Sequence, residues 1–239
     1  MAIHRVQIFG ERCSGTNYLE ALLSKNLRSI FITWDFGFKH FFPKHHIHEA
    51  PDCLFLIIYR DPFDWLRSIY TQPWHVSPEL KRVQFSEFIR MEWWCIWNED
   101  AGINRKHQLY GTEMMEERDP RTGYRFKNIM EMRNAKIQAW EDIRNQSENY
   151  FYINYESLRE DPERILRNIS CEFRISMQEG FQDIKRYKGV KWYQGWKTRL
   201  FRKQLPIISK QDRDYILTQL DTHQEKSIGY DVYPFSDKY

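Results

Sequence analysis

The chain is organised around the stretch Val6-Gln7-Ile8-Phe9-Gly10-Glu11-Arg12-Cys13-Ser14-Gly15-Thr16-Asn17-Tyr18-Leu19. A short apolar run meets a turn bounded by two glycines, and an amphipathic run follows, which predicts a strand, a loop and a helix. Its apolar face carries Leu19, Leu22, Leu23 and Leu27. Such a loop directs backbone N–H groups and the positive end of the helix toward one point, which suits a phosphate or sulfate group.

The spacing of residues in this stretch can be compared with the patterns of two familiar phosphate-binding loops. A Walker-type loop requires Lys and then Ser or Thr after its second glycine, where this chain has Thr16 and Asn17. Ordinary ATP or GTP hydrolysis is therefore disfavoured. A cysteine-phosphatase loop requires Arg six positions after its nucleophile, but the residue six after Cys13 is Leu19. That second class is excluded.

Length and composition favour one large α/β domain over residues 1–239, with the polar segment 98–125 as a lid or acceptor-site excursion. The net charge of +3 says little about partners. The scattered cysteines form no Cys-x-x-Cys pair, so reduced thiols in a cytoplasmic protein are the simplest interpretation. No apolar run reaches the roughly 18 residues of a membrane span, and no signal segment is expected.

Strand-like and helix-like patterns alternate along the chain. In addition to the first strand, strands are predicted at 29–34, 53–59 and 150–155. Helical patterns lie at 79–97, at 126–143 and from 161 onward, and a last helix is expected at 209–220. This order predicts a three-layer α/β/α fold around a central parallel sheet. Two predicted helix N-termini, at Asp61-Pro62 and Asp161-Pro162, have the form of an N-cap residue followed by a proline in the first turn.

Residues 185–203 hold eight basic side chains and no acidic one, with aromatic residues between them. This composition predicts an anionic ligand.

Three further motifs point the same way as the first loop. Ser14-Gly15-Thr16-Asn17-Tyr18-Leu19 resembles the Ser-Gly-Thr-Thr-Trp-Leu loop of sulfotransferases, and the run from Tyr59 to Tyr70, with Arg60 and Ser68 eight residues apart, resembles their 3′-phosphate element. Tyr155-Glu156-Ser157 and Phe201-Arg202-Lys203 resemble two later elements, in the order that the family uses. The resemblance implies a P-loop-like sulfotransferase fold and the donor 3′-phosphoadenosine 5′-phosphosulfate (PAPS).

The resemblance also implies roles for individual residues. Arg60 and Ser68, with Arg202 and Lys203, would hold the 3′-phosphate, and Tyr155 and Tyr18 would contact the adenine. The donor's phosphosulfate would lie on the loop formed by Arg12, Cys13, Ser14, Gly15, Thr16, Asn17 and Tyr18. Cys13 stands where the family has Lys, so Arg12 is expected to replace it, and Gln204 stands where a Gly is expected. A purely structural alternative pairs Arg60 with Asp64 and leaves Ser68 facing solvent.

The family's catalytic base is commonly a His in a Lys-x-His-x-Pro context, and Phe38-Lys39-His40-Phe41-Phe42-Pro43 occupies the corresponding place. His40 is therefore the candidate base, with Lys39 helping to neutralise the transferring sulfonate. His45, His46 and His48 compete as the base or as metal ligands, but no Cys or carboxylate spacing accompanies them, so no metal site is predicted.

The expected function is transfer of a sulfonate group from PAPS to a hydroxyl acceptor, either a carbohydrate or a small molecule. Two alternatives stay open at this point. One is a phosphotransferase or NTPase that uses the same loop, with Asp61 as a magnesium ligand. The other is a non-enzymatic nucleic-acid binder that uses residues 185–203. The acceptor and the oligomeric state are not predicted.

Overall fold

The computed structural model describes residues 2–44, 46–184 and 205–232. Their backbone groups into two compact units. The first holds the described residues up to Asp61 and those from Ala139 to 184, and the second holds Pro62–Gln138 and the described residues from 205 onward. The single domain expected from the sequence stays a prediction.

The strands form one parallel sheet in the first unit. They are β1 (Arg5–Gly10), β2 (Phe31–Ile32), β3 (Cys53–Tyr59) and β4 (Tyr150–Asn154), in the spatial order β2-β1-β3-β4. Every neighbouring pair is parallel, which confirms the predicted α/β class with a parallel sheet. β3 has the predicted bounds, because its seven consecutive buried residues are typical of a strand that is covered on both faces. β2 is much shorter than the predicted 29–34.

Within the residues that the structure describes, the helices are, in chain order, α1 (Thr16–Asn26), α2 (Pro62–Thr71), α3 (Phe85–Phe88), α4 (Ile129–Glu141), α5 (Tyr155–Glu160), α6 (Pro162–Phe173), α7 (Lys210–Gln219) and α8 (Thr222–Ser227). Short 3₁₀ turns occur at Ile47–Glu49, Glu99–Ala101, Met115–Glu117 and Asp142–Asn145. Among the described residues, no helix combines the length and the hydrophobicity that a membrane span requires.

One face of the sheet packs on α1, α5 and α6. The side chains on this face include Ile8, Leu56 and Ile153, and the leucines of α1 lie against them in one buried cluster. The N-terminus of α6 has the predicted form, since the Asp161 side chain accepts a hydrogen bond from the Arg164 N–H at 3.0 Å, with Pro162 in the first turn. These contacts fix α1, and therefore the loop before it, against the sheet.

The opposite face of the sheet is covered by aromatic side chains. Trp140 lies 6.4 Å from Phe9 and 6.3 Å from Tyr59, measured between ring centroids. Phe36 contacts Phe55 edge-on at 5.0 Å. The segment that carries Phe36 continues directly into Lys39 and His40, so this packing positions the candidate base.

In the second unit, two fully buried ion pairs connect α4 to distant parts of the chain. Arg133 donates to both carboxylate oxygens of Glu225, at 2.5 and 2.8 Å, and Lys136 donates to Glu117 at 3.0 Å. The Arg133 guanidinium also lies 4.9 Å from the ring centroid of Trp65. Breaking a buried ion pair of this kind strongly destabilises the fold, because removal of one partner leaves the charge of the other buried and uncompensated.

The predicted excursion at 98–125 is held by a cluster of ion pairs within the second unit. Glu113 accepts paired hydrogen bonds from Arg118, at 2.9 and 3.0 Å, and from Arg125, at 3.1 and 2.8 Å. Arg125 also donates to Glu92 at 2.9 Å. The hydrogen bonds from Arg118, followed by those from Arg125, lower the pKa of Glu113 to about 2. Whether the excursion acts as a lid stays a prediction.

Two sequence expectations about helices are wrong. The pattern at 79–97 yields only the short α3, because Trp93 instead donates its backbone N–H to Phe126 O at 2.9 Å in an isolated antiparallel bridge. A second such bridge joins Val76 to Cys95. The expected last helix is present as α7, but α8 follows it, because the Asp221 side chain accepts hydrogen bonds from two N–H groups of the next turn.

Candidate anion-binding site

The candidate site lies at the carboxyl ends of β1 and β3, which are adjacent in the sheet. β1 has β2 on one side and β3 on the other, so the strand order reverses there. In open parallel sheets, ligands bind in the crevice at such a switch point. The loop 11–15 leaves the end of β1, and Arg60 follows directly after β3.

The loop 11–15 is compact and internally hydrogen-bonded. Ser14 donates both its backbone N–H and its hydroxyl to Glu11 O, at 3.1 and 2.7 Å. Cys13 and Gly15 have positive φ values of 66° and 95°, and Gly15 is the N-cap of α1. Turns through left-handed residues direct successive N–H groups to one side, which is the geometry of an anion-binding nest. Ser14 therefore contributes to the shape of the loop through its own hydrogen bonds.

Arg60 contacts the loop and Tyr155 together. Its Nη1 donates to Cys13 O at 2.9 Å, and its guanidinium carbon lies 4.6 Å from the centroid of the Tyr155 ring. The same ring packs on Gly15, where a β-carbon would lie only 2.4 Å from Tyr155 Cδ2. Residues of three motifs that are far apart in sequence thus lie together.

Glu156, which the sequence analysis did not assign, holds the chain after Arg60. Its Oε1 accepts a hydrogen bond from the Asp61 N–H at 3.1 Å. This contact joins the start of α5 to the end of β3 beside Arg60 and Tyr155. Its only sequence signal was its place directly after Tyr155 in the quoted motif.

Tyr18 is part of the first turns of α1. The Arg159 guanidinium lies 4.7 Å from its ring centroid, and its hydroxyl donates to Asp183 at 3.4 Å. Burial, with the nearby Asp183 charge, raises the pKa of Tyr18. Thr16 is buried at the start of the same helix. The predicted contact of Tyr18 with an adenine stays a prediction.

His40 and Lys39 hold the end of β1 from the other side. Lys39 O accepts the Gly10 N–H at 3.0 Å, and His40 Nδ1 lies 2.7 Å from Gly10 O. A carbonyl only accepts, so Nδ1 carries the proton, and in the neutral ring the lone pair is on Nε2. His40 is buried and is therefore fixed in orientation beside the loop.

The Lys39 ammonium lies at the first turn of α1. It donates to Asn17 Oδ1 and, at 3.1 Å, to Glu20 Oε2, and it lies 5.2 Å from the ring centroid of Trp34. The Lys39 side chain is only 9% exposed. Glu20 was missed in the sequence analysis, although its position three residues after Asn17 puts it on the same side of the helix.

Some of the other predicted site residues lie within the described ranges, and others lie outside them. Arg12 is buried in the loop, and Ser68 lies on α2 in the second unit. Arg202, Lys203, the basic segment 185–203 and His45 lie outside the described residues. His46 and His48 are exposed and approach Glu49 at 3.3 and 3.7 Å. Within the described ranges, no group of three His, Cys, Asp or Glu residues is placed to hold a metal ion.

No protein-family model matches the chain, and no curated protein matches it at a significant level. The likeness to sulfotransferases therefore rests on the sequence motifs quoted above.

Proposed function

We propose that this chain transfers a sulfonate group from PAPS to a hydroxyl acceptor. The observation that supports the proposal most strongly is the convergence of Arg60, Tyr155 and the Cys13–Gly15 turn at the ends of two adjacent strands. These residues come from three of the four motifs that resemble donor-binding elements. Arg60 offers a charged planar fork suited to phosphate, and the turn offers backbone N–H groups suited to a second anionic group.

The donor would supply a sulfonate whose bond to the bridging oxygen breaks as the acceptor oxygen bonds to sulfur, leaving 3′,5′-bisphosphoadenosine. His40 Nε2 takes the proton of the acceptor hydroxyl, and the hydrogen bond from Nδ1 to Gly10 O keeps the ring in the required tautomer. The N–H groups of the loop and the Arg12 guanidinium stabilise the negative charge on the bridging oxygen. Fixed donors of this kind act without reorganisation during the reaction.

The test is transfer of label from PAPS that is labelled in its sulfonate group. The purified chain is incubated with the donor and a panel of phenols and sugars, with Mg²⁺ and separately with EDTA. We expect label on at least one acceptor, with an equal amount of 3′,5′-bisphosphoadenosine released, and we expect Arg60→Ala to reduce both. Arg164→Ala is the matched control, since Arg164 lies on exposed α6 surface and pairs with Asp161.

The same preparation is assayed for ATP hydrolysis. Magnesium-dependent ATP turnover without label transfer would overturn the proposal in favour of a phosphotransferase or NTPase. Salt-dependent binding of oligonucleotides, with neither label transfer nor bisphosphate binding, would favour the nucleic-acid alternative instead.

A further inference from the structure

Gln7 is a fully buried polar residue in the middle of β1. Its neighbours Val6 and Ile8 pack in the cluster with the leucines of α1. Because side chains alternate along a strand, Gln7 points to the opposite face of the sheet, which is covered by aromatic rings. A buried amide is costly unless it forms hydrogen bonds. The partners of this amide therefore indicate what the residue does.

The Gln7 amide binds a carbonyl of the segment 34–44, which packs on that face through Phe36. Gln7 Nε2 donates to Gly37 O at 3.2 Å and to Ile8 O at 3.1 Å. Since a carbonyl only accepts, the nitrogen of the amide faces both groups. The backbone of β1 bonds to β2 and β3 in the plane of the sheet, so a side chain is needed to reach this carbonyl.

Gly37 forms the turn that precedes His40. Its φ is +115°, and its N–H donates to Trp34 O at 3.0 Å. Three residues later, His40 Nδ1 bonds to Gly10 O at 2.7 Å. The segment is thus attached to β1 at Gln7 and at Gly10, which lie about 10 Å apart along an extended strand. Two attachments fix both the position and the direction of the residues between them, whereas Gly10 alone would let the segment turn about one point.

We propose that Gln7 is a positioning residue for the candidate base His40. By holding Gly37 O, it keeps the imidazole where Nδ1 donates to Gly10 O, so that Nε2 carries the lone pair. Its effect on turnover rests on the proposed function, but its effect on the His40 tautomer does not. A displacement of about 1 Å at a reacting group reduces turnover by about 10²-fold, so loss of this contact should lower kcat rather than donor binding.

The test compares two variants of β1. Gln7→Met removes the amide but retains the length and approximate volume of the side chain. Val6→Ala is the matched control, because it disturbs the same strand on the opposite face of the sheet. Both variants should lower Tm by about 2–10 °C. Only Gln7→Met should reduce kcat for sulfonate transfer, by about 10- to 100-fold, with the KM for PAPS changed by less than about twofold.

The tautomer of His40 is measured by ¹⁵N NMR of the imidazole nitrogens at pH 8.5, about two units above the usual pKa of histidine. His40→Asn identifies the signals. In the wild type and in Val6→Ala, we expect a protonated Nδ1 and an unprotonated Nε2, whereas Gln7→Met should give the averaged shifts of two exchanging tautomers. If Gln7→Met fails to fold, hydrogen exchange in the wild type decides. The Gln7 amide protons, bonded to Gly37 O and Ile8 O, should exchange far more slowly than those of exposed glutamines.

A wild-type tautomer or a wild-type kcat in folded Gln7→Met would overturn the inference, as would Gln7 amide protons that exchange as fast as exposed ones. Equal effects of Gln7→Met and Val6→Ala on the tautomer and on kcat would also contradict it, since they would reflect lost stability alone. A wild type that transfers no label from PAPS refutes the proposed function alone, because the NMR measurements do not depend on turnover.

Discussion

The ring of Tyr155 fills the space that a side chain on Gly15 would need, since a β-carbon there would lie 2.4 Å from Tyr155 Cδ2. Gly15 also has a φ of +95°, which an L-residue adopts only at a cost. Gly15→Ala should therefore lower the free energy of unfolding by about 2–5 kcal/mol, as the sum of the backbone cost and overpacking. Urea denaturation measures this change.

Gly180→Ala is the matched control for the backbone contribution. Gly180 has a φ of +73°, and within the described part of the chain no atom beyond its sequence neighbours lies within 4 Å of the site of its β-carbon. The substitution should therefore cost only about 1–2 kcal/mol. The difference between the two variants isolates the contact with Tyr155. Equal costs in the two variants would contradict this packing, whereas adding Tyr155→Ala to Gly15→Ala should recover part of the lost stability.

The strand and loop core of this site could be predicted from sequence. β1, the glycine-bounded loop and α1 follow the predicted pattern, and β3 lies within its predicted bounds. Local patterns identify such elements because burial and glycine geometry act within a few residues. The contact of Arg60 with Cys13 O joins residues 47 positions apart, and only the pairing of β1 with β3 brings them together.

The predictions that failed concern segments whose structure depends on distant partners. Residues 79–97 have helical periodicity, yet Trp93 forms its bridge with Phe126, which no local pattern reveals. Glu20 was missed for the same reason, because its partner Lys39 comes from another segment. The role of Ser68 is still a prediction, and Arg202 and Lys203 fall outside the described residues.

The structural role of His40 should be separable from its chemical role. His40→Asn retains an N–H donor for Gly10 O but removes the basic nitrogen, whereas His40→Ala removes both. Both variants should lose about 10²–10⁴-fold in kcat for sulfonate transfer, and His40→Ala should lose about 1 kcal/mol more stability. Turnover and thermal unfolding are measured on the same samples. Wild-type turnover by His40→Asn would exclude His40 as the base.

Glu113 should make the second unit sensitive to acid. Its pKa falls from 4.5 to about 2 on folding, chiefly through hydrogen bonds from Arg118. A carboxyl group whose pKa is lowered by folding stabilises the folded state at pH values above its unfolded-state pKa. This stabilisation is lost as the pH falls from about 4.5 to about 2. Glu113→Gln should therefore cost up to about 3 kcal/mol at pH 7 and less than about 1 kcal/mol at pH 2.5.

Urea denaturation at the two pH values measures the effect of Glu113, and Glu116→Gln on the exposed neighbouring turn is the control. The control should change stability little at either pH. A cost for Glu113→Gln that is the same at pH 7 and pH 2.5 would show that the ion-pair cluster does not set the pKa of this carboxylate.

Thermal unfolding with 3′,5′-bisphosphoadenosine tests the donor site most directly. Ligand at about 100 times its Kd stabilises the folded chain by about 2.7 kcal/mol, which corresponds to a rise in Tm of about 5–10 °C for a chain of this size. We predict this rise for the wild type without Mg²⁺, and a much smaller one for Arg60→Ala, because the 3′-phosphate loses its charged partner. A rise with magnesium-ATP and none with the bisphosphate would contradict the account.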